Sequence, residues 1–255
     1  MLGIPYFLLE PEQRSWIDKE VQRAKAAKHA RFTKHPAVAW EPSLKFAKEL
    51  YLKADSWCPP KLFDIAPKEF IDSPSGKWRY EHKVLPAGET LKTRYGSRLG
   101  EVMFDADVVV PVLGDPRTDT VWMSYTPMEA FTLRGGVRIA KGNVLLGGLG
   151  LGWQLRMIAE KKSVTSITVV EKSQELIDWY GGRLCTRIGD ETGKKVALIC
   201  ADARDYALNS DGWNAVVFDI WANYASAAYD EKWRLAKQMH TTSTCSCWAW
   251  GGSVR

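Results

Sequence analysis

Three glycines at alternating positions form the most distinctive chemical feature of the sequence. Gly148, Gly150 and Gly152 follow the aliphatic run NVLL, and the helix-compatible segment WQLRMIAEK comes directly after them. Glycine adopts positive φ readily and has no Cβ, so such a loop can bring bare backbone close to a bound molecule. A tight strand-to-helix turn without any ligand is the alternative interpretation of the same spacing.

Acidic residues follow each of the next three aliphatic runs. Glu171 ends TVVE, Asp202 lies just beyond KVALIC, and Asp219 ends VVFD. Carboxylates at strand ends can accept hydrogen bonds from hydroxyl or amino groups, and one of them can orient or deprotonate a reacting group. Because the carboxyl ends of parallel strands share one edge of a sheet, these side chains and the glycines are expected to meet.

The glycine spacing separates two kinds of nucleotide ligand. A dinucleotide fingerprint needs a third glycine three residues after the second, and Trp153 stands there. The G-x-G-x-G form instead resembles motif I of the class I S-adenosylmethionine (AdoMet)-dependent methyltransferases. That resemblance implies that Gly148, Gly150 and Gly152 lie against AdoMet. It further implies that Glu171 binds the ribose hydroxyls, that Asp202 and the adjacent Ala203 lie at the adenine, and that Asp219 lies beside the transferred group.

Within that superfamily, residues 120–250 look closest to the spermidine synthase branch, on the segments WMSYTPMEAF, VLLGGLGLG and VVEKSQELIDW. Two features depart from the branch. Leu151 occupies the position of the usual loop aspartate, and DIWANYA replaces the run S-S-D-P after the catalytic aspartate. The resemblance therefore favours AdoMet over its decarboxylated form as the cofactor.

The sequence accordingly predicts a methyltransferase acting on an unidentified acceptor, most simply a small molecule. Asp219 is the candidate catalytic residue, and Tyr125, Asn223 and Tyr224 are candidate substrate contacts. Glu129 is interpreted chiefly as the acid of a capping box that begins at Thr126. An aminopropyltransferase using decarboxylated AdoMet and a non-catalytic AdoMet-fold binding protein are the alternatives.

The elements that position these residues alternate between strand and helix from Asn143 onward. This order predicts an α/β, Rossmann-like parallel sheet of five strands with helices on both faces, spanning residues 116–255. Members of the resembled family add an antiparallel hairpin, whereas this sheet is expected to end at the fifth strand, TCSCWAW. Residues 1–115 are expected to form a helical and β region, with helices at Pro11–Ala30 and Pro42–Ala54 and several strands from Trp78 to Tyr125.

Composition and charge bear on the partners, the cellular setting and the classes of protein that remain possible. The net charge is +5, and residues 1–100 carry the excess, with 18 Lys and Arg against 12 Asp and Glu. A basic helix at Arg14–His35 is either a solvated surface or a patch for nucleic acid. Five cysteines without a regular framework favour a reducing, cytoplasmic setting, with Cys245 and Cys247 in the core. No membrane segment and no metal site are expected, and a homo-oligomer is left open.

Overall fold

The computed structural model describes residues 5–59, 62–95, 98–221, 226–243, 245–249 and 252–254. Within these residues the helices are α1 (Pro11–Phe32), α2 (Pro127–Thr132), α3 (Arg134–Ile139), α4 (Trp153–Ala159), α5 (Gln174–Leu176), α6 (Gly182–Thr192), α7 (Ala203–Leu208) and α8 (Ser226–Ser243), with a π-helical turn (Ile177–Gly181) joining α5 to α6. The strands are β1 (Glu49–Leu52), β2 (Phe70–Asp72), β3 (Arg79–Leu85), β4 (Thr90–Tyr95), β5 (Arg98–Phe104), β6 (Val108–Asp115), β7 (Thr120–Ser124), β8 (Gly142–Gly147), β9 (Val164–Glu171), β10 (Lys195–Cys200), β11 (Ala215–Phe218), β12 (Ser246–Ala249) and β13 (Gly252–Val254).

The C-terminal half is built on a sheet with the strand order β10-β9-β8-β11-β12-β13. The first five strands in this order are parallel, and helices flank the sheet, so the predicted Rossmann-like α/β architecture is present. The expected end at the fifth strand is wrong, because β13 pairs antiparallel with β12 and extends the edge by one strand. Gly252 and Ser253 there pair with Ala249 and Trp248.

The central strands are aliphatic on both faces because each face is covered by helices. Val144 and Leu146 of β8 face one core, which includes residues of α4 and α6. Leu145, between them, faces a second core with residues of α7 and α8. Successive side chains of a strand point to opposite faces, so a continuous apolar run is what a sheet buried on both sides requires.

The N-terminal half contains two smaller sheets. One has the order β1-β5-β4 and the other is an antiparallel sheet with the order β2-β3-β6-β7. Their buried residues, among them Leu52, Tyr80 and Phe104, belong to the same hydrophobic cluster as Leu146 and Trp153 of the C-terminal half. The predicted domain boundary after Asp115 lies in the turn of the β6–β7 hairpin. Strand β7 pairs with β6, so residues 120–124 belong to the N-terminal antiparallel sheet.

The predicted helix at Pro42–Ala54 is wrong, and strand β1 occupies its second half. Leu50 and Leu52 are buried while Glu49 and Tyr51 are partly exposed, the period of two that a half-buried strand shows. Their backbone pairs in parallel with Val102 and Phe104 of β5. Tertiary pairing therefore overrides the helix-compatible composition of the segment.

Helix α1 is confirmed close to its predicted bounds. Phe32 is buried, and the other residues of the helix are exposed or partly exposed. Its last turns are tied to the first small sheet, because Lys28 pairs with Glu101 at 2.7 Å and Arg31 pairs with Glu49 at 3.2 Å. Part of the basic charge assigned to a nucleic-acid patch is thus neutralised within the chain.

Two further sequence expectations can be compared with the structure. Cys245 and Cys247 are buried, 4% and 0% exposed, so their assignment to the core is confirmed. The helix expected from Thr126 to about Thr132 is confirmed as α2, and Gly135 and Gly136 lie in the next helix, α3, where a Cβ at either position would collide with Trp248. In the part of the chain that the structure describes, no helix has the length and apolar character needed to cross a bilayer.

Candidate functional site

A cavity of about 840 Å³ opens at the carboxyl ends of the parallel strands. This volume is in the range of small-molecule sites. Six of the residues predicted to bind a cofactor line it together: Gly148, Gly150, Glu171, Asp202, Ala203 and Asp219.

The strand order explains why these residues meet. β8 lies between β9, which leads outward to β10, and β11, which leads outward to β12 in the opposite direction. The chain therefore reverses its direction of winding next to β8, and a crevice forms above that point in sheets of this kind. The glycine loop leaves β8 at this crevice, and Glu171 and Asp219 leave its two neighbours.

The glycine loop has the backbone conformation that its residue types indicate. Gly148, Gly150 and Gly152 have φ values of 93°, 48° and 79°. Because the glycines have no Cβ, other parts of the chain approach the loop closely. A Cβ at Gly148 would overlap the carbonyl oxygen of Asp219, and a Cβ at Gly150 would overlap the sulfur of Met123.

Three more contacts hold the loop in place. The Tyr180 hydroxyl donates a 2.7 Å hydrogen bond to the carbonyl of Gly150. The backbone N–H of Leu149 donates to the Glu171 carboxylate at 3.0 Å, and the N–H of Leu151 points at the Met123 sulfur at 3.1 Å. The N–H groups of Gly148 and Gly152 donate to the carbonyls of Val170 and Leu149, so four N–H groups of the loop are used within the protein.

Two predicted site residues lie elsewhere. Gly152 precedes α4 away from the cavity, and a Cβ there would collide with Leu184. Tyr125 is 5% exposed and packs against Trp153 with 4.7 Å between ring centroids, so it is part of the core instead of the cavity wall. The predicted substrate contacts Asn223 and Tyr224 lie outside the described residues.

Glu171 bridges the glycine loop and the start of α5. One carboxylate oxygen accepts from Leu149, and the other accepts a 2.8 Å hydrogen bond from the N–H of Ser173. Each carboxylate oxygen has a further lone pair available, so the side chain can still accept from a ligand hydroxyl. Its position on the last residue of β9 fixes it beside the loop.

Asp202 is engaged by cations. Arg204 donates to it from its backbone N–H and from its guanidinium group, and Lys172 donates at 3.1 Å. These hydrogen bonds, chiefly those from Arg204, hold the pKa of Asp202 well below its usual range. Asp202 also caps α7, so at least part of its role is structural. Arg204 reaches onward to Glu231, which in turn accepts from the indole of Trp221 at 3.1 Å.

Asp219 follows β11 and lines the cavity. Burial raises its pKa to about 7, and the ammonium of Lys232 works in the opposite direction. Lys232 is on α8, is 2% exposed and lies 5.0 Å from the centre of the Trp221 ring. The sequence contained no spacing that would have placed this lysine near Asp219.

Glu129 lines the same cavity, which corrects its interpretation as a capping-box residue. Thr126 precedes α2 in an extended conformation, but its side chain makes no capping hydrogen bond. Its hydroxyl lies 3.1 Å from that of Ser124 instead. Glu129 is partly buried, and desolvation together with the charge of Asp219 raises the pKa of its carboxyl group to about 8.

The N-terminal sheets supply the outer wall of the cavity, which the sequence did not reveal. Trp78 and Trp122 form an edge-to-face pair with ring centroids 5.4 Å apart, and Lys77 lies over Trp78. The indole N–H of Trp78 is buried without a hydrogen-bond partner in the described structure. Long-range packing of β3 and β7 places these residues, so no local motif could have indicated them.

Known proteins resemble this chain only weakly. No family model and no curated protein matches the chain. Among solved structures, it is similar to Δ1-pyrroline-2-carboxylate reductase from Thermococcus litoralis in complex with NADH and L-proline, with 12% identity, a TM-score of 0.28, and coverage of 60% of this chain and 50% of that one. It is also similar to shikimate dehydrogenase from Mycobacterium tuberculosis, with 24% identity, a TM-score of 0.28, and coverage of 40% and 36%.

The chain thus spans half the length of the first of these structures and about a third of the second. Similarity at this level does not bear on the ligand. Within the described residues, no group of three or more His, Cys, Asp or Glu side chains could hold a metal ion.

Proposed function

We propose that this chain is an AdoMet-dependent methyltransferase whose cofactor lies in the 840 Å³ cavity. The observation that carries the proposal is the meeting of Gly148, Gly150, Glu171 and Asp219 in that one cavity, at the switch point of the sheet. The antiparallel strand β13, of the kind that the resembled family adds after its parallel strands, supports the same class.

The polar groups of the cavity suit a nucleoside with a cationic tail better than a pyrophosphate. A dinucleotide needs free backbone N–H groups at the glycine loop to bind its phosphates. Here the N–H of Leu149 is bound to Glu171, and that of Leu151 contacts Met123. Glu129 and Asp219 add carboxyl groups to the same cavity, and in their ionised form these groups would repel a phosphate and attract a cation.

In this proposal each residue has a limited task. Glu171 accepts from the ribose hydroxyls through its remaining lone pairs, and Ala203 packs beside the adenine. Asp219 orients the acceptor or takes its proton, which is the role that a carboxyl group of pKa about 7 suits near neutral pH. When bound, AdoMet supplies an activated methyl group, and the protein mainly aligns the acceptor with it.

The carboxyl groups of Glu129 and Asp219 in the cavity also favour a second candidate, an aminopropyltransferase. Leu151, which stands in place of the usual loop aspartate, is 1% exposed and lies in the core. Glu129 instead brings a carboxylate to the same cavity. An amine-bearing donor such as decarboxylated AdoMet would find an anion there, although not at the position that the spermidine synthase branch uses.

Turnover assays separate these functions. The full chain is incubated with AdoMet carrying a labelled methyl group, or with decarboxylated AdoMet, together with fractionated pools of small-molecule acceptors. Formation of S-adenosylhomocysteine supports the methyltransferase, and formation of 5′-methylthioadenosine supports the aminopropyltransferase. Binding of AdoMet without either product across all pools would favour a non-catalytic binding protein and contradict the proposed reaction.

A further inference from the structure

Trp122 of β7 presents part of its indole ring to the cavity. It lines the cavity wall and is 43% exposed, a high value for so large an apolar side chain. Its edge-to-face contact with Trp78, with an interplanar angle of 80°, uses at most one face of its ring. Aromatic rings left in water lose the free energy that their burial provides. The uncovered part of the Trp122 ring is therefore open to a ligand of the cavity.

A buried donor lies beside this ring. Trp78 lines the same cavity and is 6% exposed, and its indole N–H has no hydrogen-bond partner among the residues that the structure describes. Buried polar groups are paired in the great majority of cases, and a buried indole N–H usually finds an acceptor. The pair of tryptophans thus lacks one acceptor atom, which a ligand in the cavity can supply.

Contacts with the C-terminal half hold this wall in place. In the turn between β2 and β3, Ser75 donates to the Glu175 carboxylate from its backbone N–H and from its hydroxyl, both at 2.8 Å. Glu175 lies on α5, next to Leu176, which also lines the cavity. The hydroxyl of Ser73 accepts from the backbone N–H of Trp78 at 3.1 Å. The tryptophan pair is therefore ordered without a ligand, so stacking on it costs little side-chain entropy.

The chemistry of the missing ligand group follows from the two rings together. A planar aromatic group gains free energy on the Trp122 ring beyond that of area burial alone, and Leu113, Val121 and Met123 add apolar surface to the same cavity. A cation could also lie over an indole, but an ammonium group has no lone pair and leaves the Trp78 N–H unpaired. An oxygen atom attached to an aromatic ring satisfies both requirements.

We propose that Trp122 and Trp78 form a subsite for an aromatic ring that carries an oxygen substituent, and that this ring belongs to the acceptor. The assignment to the acceptor rests on the proposed function, in which Glu171 and Ala203 at the strand ends bind the nucleoside. Phenols and other aromatic compounds with a hydroxyl or carbonyl oxygen are the substrate class that this subsite indicates.

Binding is measured by equilibrium dialysis of three probes against the full chain. 2-Naphthol has the aromatic ring and the oxygen, decahydro-2-naphthol has the oxygen on a saturated ring, and 2-methylnaphthalene has the aromatic ring without the oxygen. Affinity ratios between probes are compared in the wild-type chain, in Trp122→Leu and in Trp78→Phe, which stays aromatic but has no N–H. Trp16→Leu is the matched control, because Trp16 is exposed on α1 and lies outside the cavity lining.

The subsite predicts that the wild-type chain binds 2-naphthol more tightly than decahydro-2-naphthol, and that Trp122→Leu lowers this ratio about two- to tenfold. Trp122→Phe, which retains an aromatic face, should recover part of it. Trp78→Phe should lower the affinity ratio of 2-naphthol to 2-methylnaphthalene by a similar factor, because one hydrogen bond is lost. A 2-naphthol preference that Trp122→Leu leaves unchanged, or no binding of 2-naphthol by the wild-type chain, would overturn the subsite.

Failure of the proposed function gives a different result, which titration of the same variants with S-adenosylhomocysteine reveals. A chain that binds 2-naphthol through Trp122 but does not bind S-adenosylhomocysteine would support the aromatic subsite and contradict the AdoMet site. If Trp122→Leu weakens S-adenosylhomocysteine and leaves 2-naphthol unchanged, the ring at this wall is the adenine and the assignment to the acceptor is overturned. Thermal melting shows whether each variant is folded, and Trp122→Met replaces Trp122→Leu if the latter does not fold.

Discussion

The carboxylate of Glu171, at the end of β9, accepts a 3.0 Å hydrogen bond from the backbone N–H of Leu149 in the glycine loop. This contact fixes the loop to the neighbouring strand and holds the carboxylate at the cavity wall. The residue proposed to bind the ribose thus also supports the loop on which the cofactor would lie. Substitutions at Glu171 therefore act on both the loop and the ligand.

We expect Glu171→Ala to weaken S-adenosylhomocysteine binding by roughly 1–3 kcal/mol, because the ribose hydroxyls and the Leu149 N–H would lose their acceptor. Isothermal titration measures the change. Glu160→Ala is the control, since Glu160 pairs with Arg156 at the far end of α4. Unchanged affinity in Glu171→Ala would show that the ribose does not bind at this residue.

Gly150→Val should destabilise the protein and abolish ligand binding. A β-branched side chain resists the φ of 48° at this position and would overlap the Met123 sulfur. The two causes can be separated by combining Gly150→Ala with Met123→Ala. The double variant should recover the steric part of the lost unfolding free energy and keep the conformational part, about 1–2 kcal/mol. Additive effects of the two changes would show that Met123 does not cover Gly150.

Stability should fall as the pH rises from about 5 to about 8. The folded-state pKa values of Glu129 and Asp219 are raised to about 8 and about 7, above their ordinary values of 4.5 and 3.8. Between these limits the folded protein retains protons that the unfolded chain has lost. Their contribution to stability is therefore complete at acid pH and is lost as the pH rises through the folded-state values.

Thermal melting across this pH range measures the effect. Carboxyl groups with lowered pKa values, such as those of Asp115 and Asp202, change protonation at more acidic pH than this window. Glu129→Gln should flatten the dependence, since one of the two titrating groups is removed. A melting temperature that rises from pH about 5 to about 8, or a slope that Glu129→Gln leaves unaltered, would contradict the burial assigned to this carboxyl.

Asp219→Asn should reduce methyl transfer much more than cofactor binding. The substitution keeps the shape of the side chain but removes the proton acceptor. The backbone N–H of residue 219, which donates to the Gly147 carbonyl at 2.9 Å, is unaffected. General-base groups contribute about 10²–10⁴-fold to rate. Single-turnover rates and cofactor titrations on the same preparation measure the two effects. Equal losses in both would reduce Asp219 to a binding role.

The parallel half of the fold could be predicted because its local patterns agree with its tertiary structure. The buried run NVLL, the glycines after it and the acidic residue at the end of β9 each have a local meaning that the sheet then preserves. The order of strands brought Glu171, Asp202 and Asp219 to one edge, as expected for parallel strands. Such features can be recognised in the sequence without knowing which distant residues they contact.

The N-terminal wall could not be predicted in this way. β1 is a strand because it pairs with β5, about fifty residues later, and its own composition suited a helix. Trp78 and Met123 reach the cavity through packing between sheets that are distant in sequence. Glu129 was misassigned because its position three residues after Thr126 fitted a local capping motif, whereas its real neighbour is Asp219 on another element.

Titration of the full chain with S-adenosylhomocysteine and, separately, with NADH tests the assignment of the cavity most directly. We predict one saturable site for S-adenosylhomocysteine, weakened in Glu171→Ala but not in Glu160→Ala, and no saturable binding of NADH. Saturable binding of NADH with no heat from the adenosyl compound would contradict it.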